Sequence, residues 1–260
     1  MPGPERDLEL LTAAARSAGE IALRYFRKDP ERWDKGDGQG PVTQADMEVN
    51  EALEEHLRGA RPDYGWMSEE SADEPARLRA ERVFIIDPID GTRAFIDGNT
   101  AFAHSIAVAE AGRIVAGVVY LPALEKLYSA AAGEGAVLND APIAIRGPER
   151  IRDAQVLTNR AALDPKHWPG GVPEVERVFR PSLAYRLCLV AEGRFDGMIT
   201  LRNAWEWDIA AGTLIAAEAG AAVSDARGRE MRFNAPSRAH PGCIVAAPHL
   251  HAELLRRRAG

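Results

Sequence analysis

The first quarter of the chain contains two stretches in which hydrophobic residues recur with a helical period. The first predicts an amphipathic helix over residues 7–27. Its apolar face consists of Leu8, Leu11, Ala15, Ala18, Ala22 and Tyr25. The second predicts a helix that begins at Thr43 and ends near Gly59, because Thr43-Gln44-Ala45-Asp46 is typical of a helix N-terminus. Residues 28–41, between the two helices, are rich in Gly and charge and predict a mobile loop.

Short apolar runs bounded by turn residues then predict strands. In the first half these runs cover residues 64–67, 83–86, 104–110, 114–121, 127–131 and 136–138. Gly112 and Gly133 separate neighbouring runs, which predicts an antiparallel meander. The second half mixes predicted strands at 156–158, 197–201, 221–224 and 243–247 with helices at 182–192, 208–219 and 249–257 and a loop at 163–173. This mixed order predicts an α/β (α+β) layered sandwich with two halves, residues 1–150 and 151–260, in one compact unit.

Composition narrows the functional class. The 39 acidic residues outnumber the 32 basic residues, and the net charge of −7 argues against binding to a nucleic-acid polymer or a membrane surface. No apolar run approaches the ~20 residues of a membrane-spanning helix, and Met1–Leu10 is too acidic and polar for a signal peptide. The two cysteines, Cys188 and Cys243, lie in unrelated contexts, so we expect no disulfide and a cytoplasmic location.

The most informative motif is Asp87-Pro88-Ile89-Asp90-Gly91-Thr92, which directly follows the predicted strand 83–86. Two carboxylates three residues apart at the end of a buried strand are costly to desolvate without a compensating positive charge. Pro88 restricts the backbone and Gly91 permits a tight turn, so both acids are directed at one point. Mg²⁺ prefers such oxygen ligands. A strand that ends in a simple Asp-Pro turn is the alternative, but the whole arrangement favours a metal site.

Four further acids each have a structural and a functional interpretation. Glu69 and Glu70 end the predicted strand 64–67 and, taken alone, would form an exposed acidic turn. Asp208 would be stabilised near the N-terminus of its helix by the helix dipole. Asp46 would complete a capping box with Thr43.

Taken together, four sequence elements resemble the inositol monophosphatase-like family of metal-dependent, lithium-sensitive phosphomonoesterases, nearest its 3'(2'),5'-bisphosphate nucleotidase branch. These elements are the hexapeptide 87–92, Trp207-Asp208-Ile209-Ala210-Ala211-Gly212, Ser68-Glu69-Glu70 (Gly-Glu-Glu in the family) and Pro41-Val42-Thr43 with Asp46. Their order and their spread over most of the chain make the resemblance specific. It implies an αβαβα sugar-phosphatase-type fold, two or three bound Mg²⁺ ions and a small phosphorylated substrate, and it makes a homodimer an expectation.

The resemblance also implies a role for each matched residue. The metal ligands would be the carboxylates of Glu69, Asp87, Asp90 and Asp208 and the backbone carbonyl of Ile89. The substrate phosphate would contact Gly91, Thr92 and Asp208. Glu70 would position or deprotonate the nucleophilic water, close to a hydrogen-bonded pair formed by Thr92 and Asp46. In the family the loop that corresponds to residues 28–41 approaches the active site, which makes Lys35 a further candidate.

Two basic residues bear on the choice of substrate. Arg93-Ala94-Phe95 follows the hexapeptide where inositol monophosphatases commonly have Thr-Asn-Phe, and the basic residue resembles the nucleotidase and histidinol-phosphate phosphatase branches. Arg186 occupies a position where the nucleotidase branch commonly has Lys. Each Arg suits a second substrate phosphate; a solvated rim residue and a helix-surface ion pair are the respective alternatives.

We therefore expect hydrolysis of a 3'(2'),5'-bisphosphate nucleotide such as adenosine 3',5'-bisphosphate. Inositol 1-phosphate is the nearest alternative, followed by histidinol phosphate, fructose 1,6-bisphosphate and a non-catalytic protein with the same fold. Trp205 and Trp207 offer stacking surfaces for adenine, although we expect core packing for at least one of them. His104, the only histidine near the motifs, is expected to form a local hydrogen bond rather than to bind metal.

Overall fold

The structure is a computed structural model that describes residues 3–36, 40–148 and 150–260. Its α-helices are α1 (Pro4–Tyr25), α2 (Gln44–Ala60), α3 (Thr92–Ile96), α4 (Leu183–Ala191), α5 (Glu206–Glu218) and α6 (Pro248–Ala259). Its strands are β1 (Arg32–Asp34), β2 (Pro41–Thr43), β3 (Gly65–Ser68), β4 (Arg82–Asp90), β5 (Ala103–Glu110), β6 (Arg113–Leu121), β7 (Lys126–Ala131), β8 (Ala136–Leu138), β9 (Ala141–Ile143), β10 (Gln155–Leu157), β11 (Glu176–Val178), β12 (Gly197–Thr200), β13 (Ala204–Trp205), β14 (Ala222–Ser224), β15 (Ala239–His240) and β16 (Cys243–Ala246). No helix within the described ranges has the length and apolar character needed to cross a bilayer.

Seven strands form the larger sheet in the order in which they occur in the chain, from β3 to β9. The β3 strand runs parallel to β4, and every later neighbour is antiparallel. The predicted antiparallel meander is therefore confirmed. The smaller sheet has five strands in the order β11-β10-β12-β16-β14, with parallel and antiparallel pairs.

Buried side chains divide the molecule into five layers. Along β4, Phe84 and Ile86 pack in a cluster with α1 and α2, whereas Val83 and Ile85 face the opposite cluster with α4 and α5. This alternation is expected for a strand that is buried on both faces. The second cluster also includes residues of the smaller sheet, and a third cluster joins the outer face of that sheet to α6. The order helix, sheet, helix, sheet, helix confirms the predicted αβαβα fold, whereas the division near residue 150 stays a prediction.

Several predicted boundaries differ from the structure. Helix α1 begins at Pro4, because proline in the first turn loses no hydrogen bond. The predicted loop 28–41 contains the paired strands β1 and β2, and its residues 37–39 lie outside the described residues. Strand β4 continues to Asp90, so residues 87–90 of the hexapeptide belong to the strand. The sequence did not predict α3, β9, β11, β13 or β15, because elements of two to five residues are too short to show a period.

Candidate active site

The last residues of β4 pair irregularly with β5. Asp87 lies opposite Ser105, but the register shifts before Asp90, as in a β-bulge. Within this irregular stretch the carbonyl of Pro88 accepts a hydrogen bond from Nδ1 of His104, which is fully buried. This contact is the local hydrogen bond predicted for that histidine. It satisfies a carbonyl within the irregular stretch and thereby holds the backbone that carries both aspartates.

The turn after β4 fixes the orientation of Asp90. Gly91 has a φ of 97°, which glycine adopts without strain, and it leads directly into α3. Asp90 Oδ2 accepts hydrogen bonds from Ser182 Oγ at 2.7 Å and from the backbone N–H of Ala184 at 2.6 Å. The same serine caps α4 by accepting a bond from Tyr185 N–H. The start of α4 therefore holds one Asp90 oxygen in place.

Asp208 lies in the first turn of α5, which packs against the larger sheet. Ser105, which pairs with Asp87, donates from Oγ to the carbonyl of Trp207 at 2.8 Å. The helix can approach β6 closely because Gly117 has no Cβ; a Cβ there would lie 3.0 Å from the Cα of Ala211. The small residues at this contact, Gly117 in β6 and Ala211 in α5, therefore allow the helix to bring Asp208 to the end of β4.

The end of β3 supplies the two glutamates. The predicted alternative of an exposed acidic turn is wrong, because the side chains of Glu69 and Glu70 are only 23% and 5% exposed. Lys35 Nζ lies 2.7 Å from Glu69 Oε1 and 2.5 Å from Glu70 Oε1. Behind them, Ser68 Oγ donates to Asn50 Oδ1 at 2.6 Å and anchors the end of the strand to α2.

Three acids from three different elements converge. One carboxylate oxygen each from Glu69, Asp87 and Asp208 lies within 4.8 Å of the others. Asp87 Oδ1 is buried and has no hydrogen-bond partner among the described residues. A buried oxygen without a donor requires a cation or an ordered water, and an all-oxygen donor set of this kind suits Mg²⁺. The residues present therefore fit the predicted metal.

Asp46 has both of the roles considered from the sequence. Its Oδ2 accepts bonds from Thr43 N at 2.8 Å and Thr43 Oγ1 at 2.6 Å, which completes the capping box of α2. Its Oδ1 lies 3.2 Å from Thr92 Oγ1, which is also 3.1 Å from the carbonyl of Ile89. One carboxylate thus caps the beginning of α2 and connects this helix to the hexapeptide.

A cavity of about 690 Å³ opens beside the carboxylates. Its lining includes Glu69, Asp90, Gly91, Thr92, Arg93, Phe179, Ser182, Arg186, Arg202 and Asp208. A smaller cavity adjoins Asp87, Ile89 and Trp205. The structure therefore brings the predicted metal and substrate residues to one connected region, with Asp46 and Glu70 directly behind it.

Some predicted contacts differ, and other residues were missed. No ion pair of Arg186 occurs among the described residues; its Nε donates to the carbonyl of Arg180. Trp207 is only 5% exposed and packs in the core, as expected for at least one of the two tryptophans.

The sequence did not single out Phe179, Ser182 or Arg202. The only signal for Arg202 was a basic residue two positions after β12 and six residues before Asp208.

Burial raises the pKa values of the clustered acids. Burial and the charge of the neighbouring glutamate raise the pKa of Glu70 to about 7. Burial raises the pKa values of Asp46 and Asp90 to about 6, although hydrogen bonds to both carboxylates oppose the shift. The pKa values of Asp87 and Asp208 are also raised, first by burial and then by nearby carboxylates. Without a cation, the site therefore resists full ionisation at neutral pH.

We expect the metal-free protein to lose stability as the pH rises from about 4 to about 7. Glu70, Asp46 and Asp90 bind protons more tightly in the folded than in the unfolded state, so their contribution is complete below the unfolded pKa values near 4 and is lost above the folded ones. The loss is on the order of 3 kcal/mol for each of the three groups. Urea unfolding in EDTA and in excess magnesium, compared across this range, tests the expectation. Parallel curves would contradict it, because a bound cation should stabilise the ionised acids.

Comparison with known proteins agrees with the family resemblance of the sequence motifs. Residues 4–259 match the model of the inositol monophosphatase family. The inositol-1-monophosphatase of Rhizobium meliloti (strain 1021) is 38% identical over 253 residues, which is 93% of this chain and 88% of that protein. The 3'(2'),5'-bisphosphate nucleotidase CysQ of Salmonella typhimurium is 34% identical over 235 residues, covering 87% and 93%. Among solved structures, the IMPase of Thermotoga maritima superposes with a TM-score of 0.82 at 28% identity, covering 98% of this chain and 96% of that one.

Proposed function

Since the chain belongs to the inositol monophosphatase family and is a phosphoric monoester hydrolase, we propose that it uses magnesium held at the converging carboxylates. Glu69, Asp87, Asp90 and Asp208 would bind two or three ions, with the carbonyl of Ile89 as a further ligand. The observation that carries this proposal is the triad of carboxylate oxygens within 4.8 Å of one another, one of whose members, Asp87, has a buried oxygen without a donor.

The metal and the protein would divide the chemistry between them. When bound, magnesium supplies positive charge that offsets the carboxylates and the substrate phosphate, lowers the pKa of water and stabilises the leaving oxygen. The backbone N–H groups of Gly91 and Thr92 would donate hydrogen bonds to the phosphate at the start of α3. Glu70, with a pKa of about 7 in the metal-free site, would accept the proton of the attacking water.

Thr92 and Asp46 would orient that water. Both hydrogen bonds from Thr43 fall on Asp46 Oδ2, which leaves Oδ1 as the acceptor for Thr92 Oγ1 at 3.2 Å. The Ile89 carbonyl, 3.1 Å from the same hydroxyl, would be occupied by the metal. Thr92 would then donate its single proton to Asp46 and keep its lone pairs for a water proton. The water would thus give one proton toward Thr92 and the other toward Glu70, which leaves an oxygen lone pair for phosphorus.

The cavity favours a substrate that has a second anionic group. Arg93, Arg186 and Arg202 line it beside the carboxylates, and a guanidinium group matches the geometry of phosphate oxygens. We therefore propose a 3'(2'),5'-bisphosphate nucleotide as the substrate, with the hydrolysed phosphate at the carboxylates and the retained phosphate near the arginines. Inositol 1-phosphate is the second candidate, because the relative of 38% identity has that activity in its name.

We expect kcat/KM to be at least about tenfold higher for adenosine 3',5'-bisphosphate than for inositol 1-phosphate, since one charge-assisted phosphate contact contributes about 1.5–3 kcal/mol. Steady-state phosphate release in excess magnesium measures both values. In the Arg186→Leu variant, kcat/KM for the bisphosphate should fall while kcat/KM for inositol 1-phosphate stays the same. The ratio of the two values should therefore approach one. A clear wild-type preference for inositol 1-phosphate would overturn the substrate assignment but not the metal-dependent hydrolysis.

A further inference from the structure

Phe179 is an exposed aromatic side chain in a mainly polar cavity. It directly follows β11, it is 50% exposed, and it lines the same cavity as Asp90 and Arg186. A single exposed apolar side chain is ordinary at a protein surface. This one lies inside a mainly polar cavity beside the proposed metal ligands, where it occupies space that a polar residue could use to contact substrate. Its position therefore calls for a ligand with an apolar face.

The guanidinium group of Arg186 lies against the Phe179 ring. The guanidinium carbon lies 4.5 Å from the ring centroid, in cation–π contact, and Nε donates to the carbonyl of Arg180. Within the described residues no hydrogen bond involves the two terminal amino groups of Arg186. The pair thus combines an aromatic surface with a positive charge that has donors to spare, and both parts adjoin the cavity.

We propose that Phe179 is the surface on which the planar base of a nucleotide substrate stacks, while Arg186 faces the retained phosphate. This inference rests on the proposed function, because it concerns the leaving group of the same reaction. A nucleoside bisphosphate combines a flat aromatic ring with a second anion on one small scaffold, which matches the paired surface. Inositol has no aromatic face and would leave the Phe179 ring in water.

Trp205 is another exposed aromatic residue near the site, and it is less suitable. Its ring stacks on Trp207 with an interplanar angle of 8° and a centroid distance of 5.0 Å, and Arg238 lies 5.9 Å from its centroid. It borders the smaller cavity with Asp87 and Arg202 rather than the larger one, which alone of the two contains Arg93 and Arg186. Stacking near the arginines therefore points to Phe179.

The test compares Phe179→Leu, which keeps the apolar character but removes the ring, with Phe179→Tyr, which keeps the ring. Stacking of one base contributes about 1–3 kcal/mol, so we expect the Leu variant to lose about 5- to 150-fold in kcat/KM for adenosine 3',5'-bisphosphate, mainly through KM. Glycerol 2-phosphate, which has no ring, should be hydrolysed within about twofold of the wild-type rate. The Tyr variant should resemble the wild type with both substrates.

Two results would overturn the stacking role. One is an equal loss with both substrates, which would indicate a structural effect; the other is an unchanged nucleotide KM in the Leu variant. Calorimetric binding of adenosine 5'-monophosphate to wild type and Phe179→Leu separates this proposal from the substrate assignment. If the wild type prefers inositol 1-phosphate yet binds the mononucleotide more tightly than the Leu variant does, only the substrate assignment fails. If the bisphosphate is preferred and both proteins bind the mononucleotide equally, only the stacking role fails.

Discussion

The Asp87→Asn variant is expected to lose at least about 10³-fold in kcat/KM and, in the absence of magnesium, to unfold at a higher temperature than the wild type. The activity falls because the substitution removes a negative charge from the centre of the proposed metal site. A loss of about 4 kcal/mol in transition-state stabilisation is enough for this effect.

The predicted rise in unfolding temperature, in contrast to the loss of activity, follows from the surroundings of Asp87. Its side chain is 1% exposed, and its pKa is raised by burial and then by the charges of Glu69, Asp90 and Asp208. Without a cation this carboxylate is therefore destabilising at neutral pH, and a neutral amide relieves the repulsion. Magnesium should raise the unfolding temperature of the variant less than that of the wild type.

Asp73→Asn is a matched control with the reverse outcome. The Asp73 carboxylate accepts a hydrogen bond from Arg77 at 2.6 Å, which lowers its pKa, so it stabilises the folded protein when ionised. That variant should unfold at a lower temperature and keep its activity. Calorimetric titration with magnesium, thermal unfolding with and without the ion, and phosphate release give the three readouts. An Asp87→Asn protein that is less stable without magnesium and still active would exclude a metal site at this position.

The local part of the site was predictable from the sequence because its chemistry lies within a few residues. The hexapeptide places Asp87 and Asp90 on one strand and ends it at Gly91, whose φ of 97° suits the turn. What the sequence alone could not show is that β3 runs parallel to β4 with Ser68 opposite Ile86. That register brings Glu69 next to Asp87, and the bond from its backbone N–H to the carbonyl of Ile86 extends the ladder.

The remaining residues depend on how the second sheet and its helices lie against the first. Ser182 becomes a partner of Asp90 only because α4 begins at the end of β4, more than ninety residues away in the chain. Phe179 and Arg202 follow strands of the smaller sheet, and no local period indicates that these strand ends reach the cavity. Long-range packing of this kind leaves no pattern in a single sequence.

The Glu70→Gln variant is expected to lose about 10²- to 10⁴-fold in kcat while its affinity for magnesium changes little. The Glu70 side chain is 5% exposed and contacts Lys35, and it supplies none of the three converging oxygens, which belong to Glu69, Asp87 and Asp208. A glutamine keeps the shape and an acceptor oxygen for Lys35, but it cannot take a proton from water. The loss therefore reports proton transfer rather than metal binding, and calorimetric titration with magnesium checks the distinction.

The pH dependence gives this prediction a second, independent readout. Only the ionised form of Glu70 can act as a base, so the wild-type rate should fall as the pH drops through its pKa, which is about 7 without metal. Positive charge at the site favours the carboxylate, so this acidic limb should move to lower pH as magnesium is raised. The Gln variant should lack the limb, whereas Glu74→Gln, at an exposed partner of Arg58, should retain it. If Glu70→Gln kept kcat within about tenfold and showed the same limb, another group would have to accept the proton, and Asp46, whose pKa is about 6 and whose Oδ1 faces Thr92, would be the next residue to substitute.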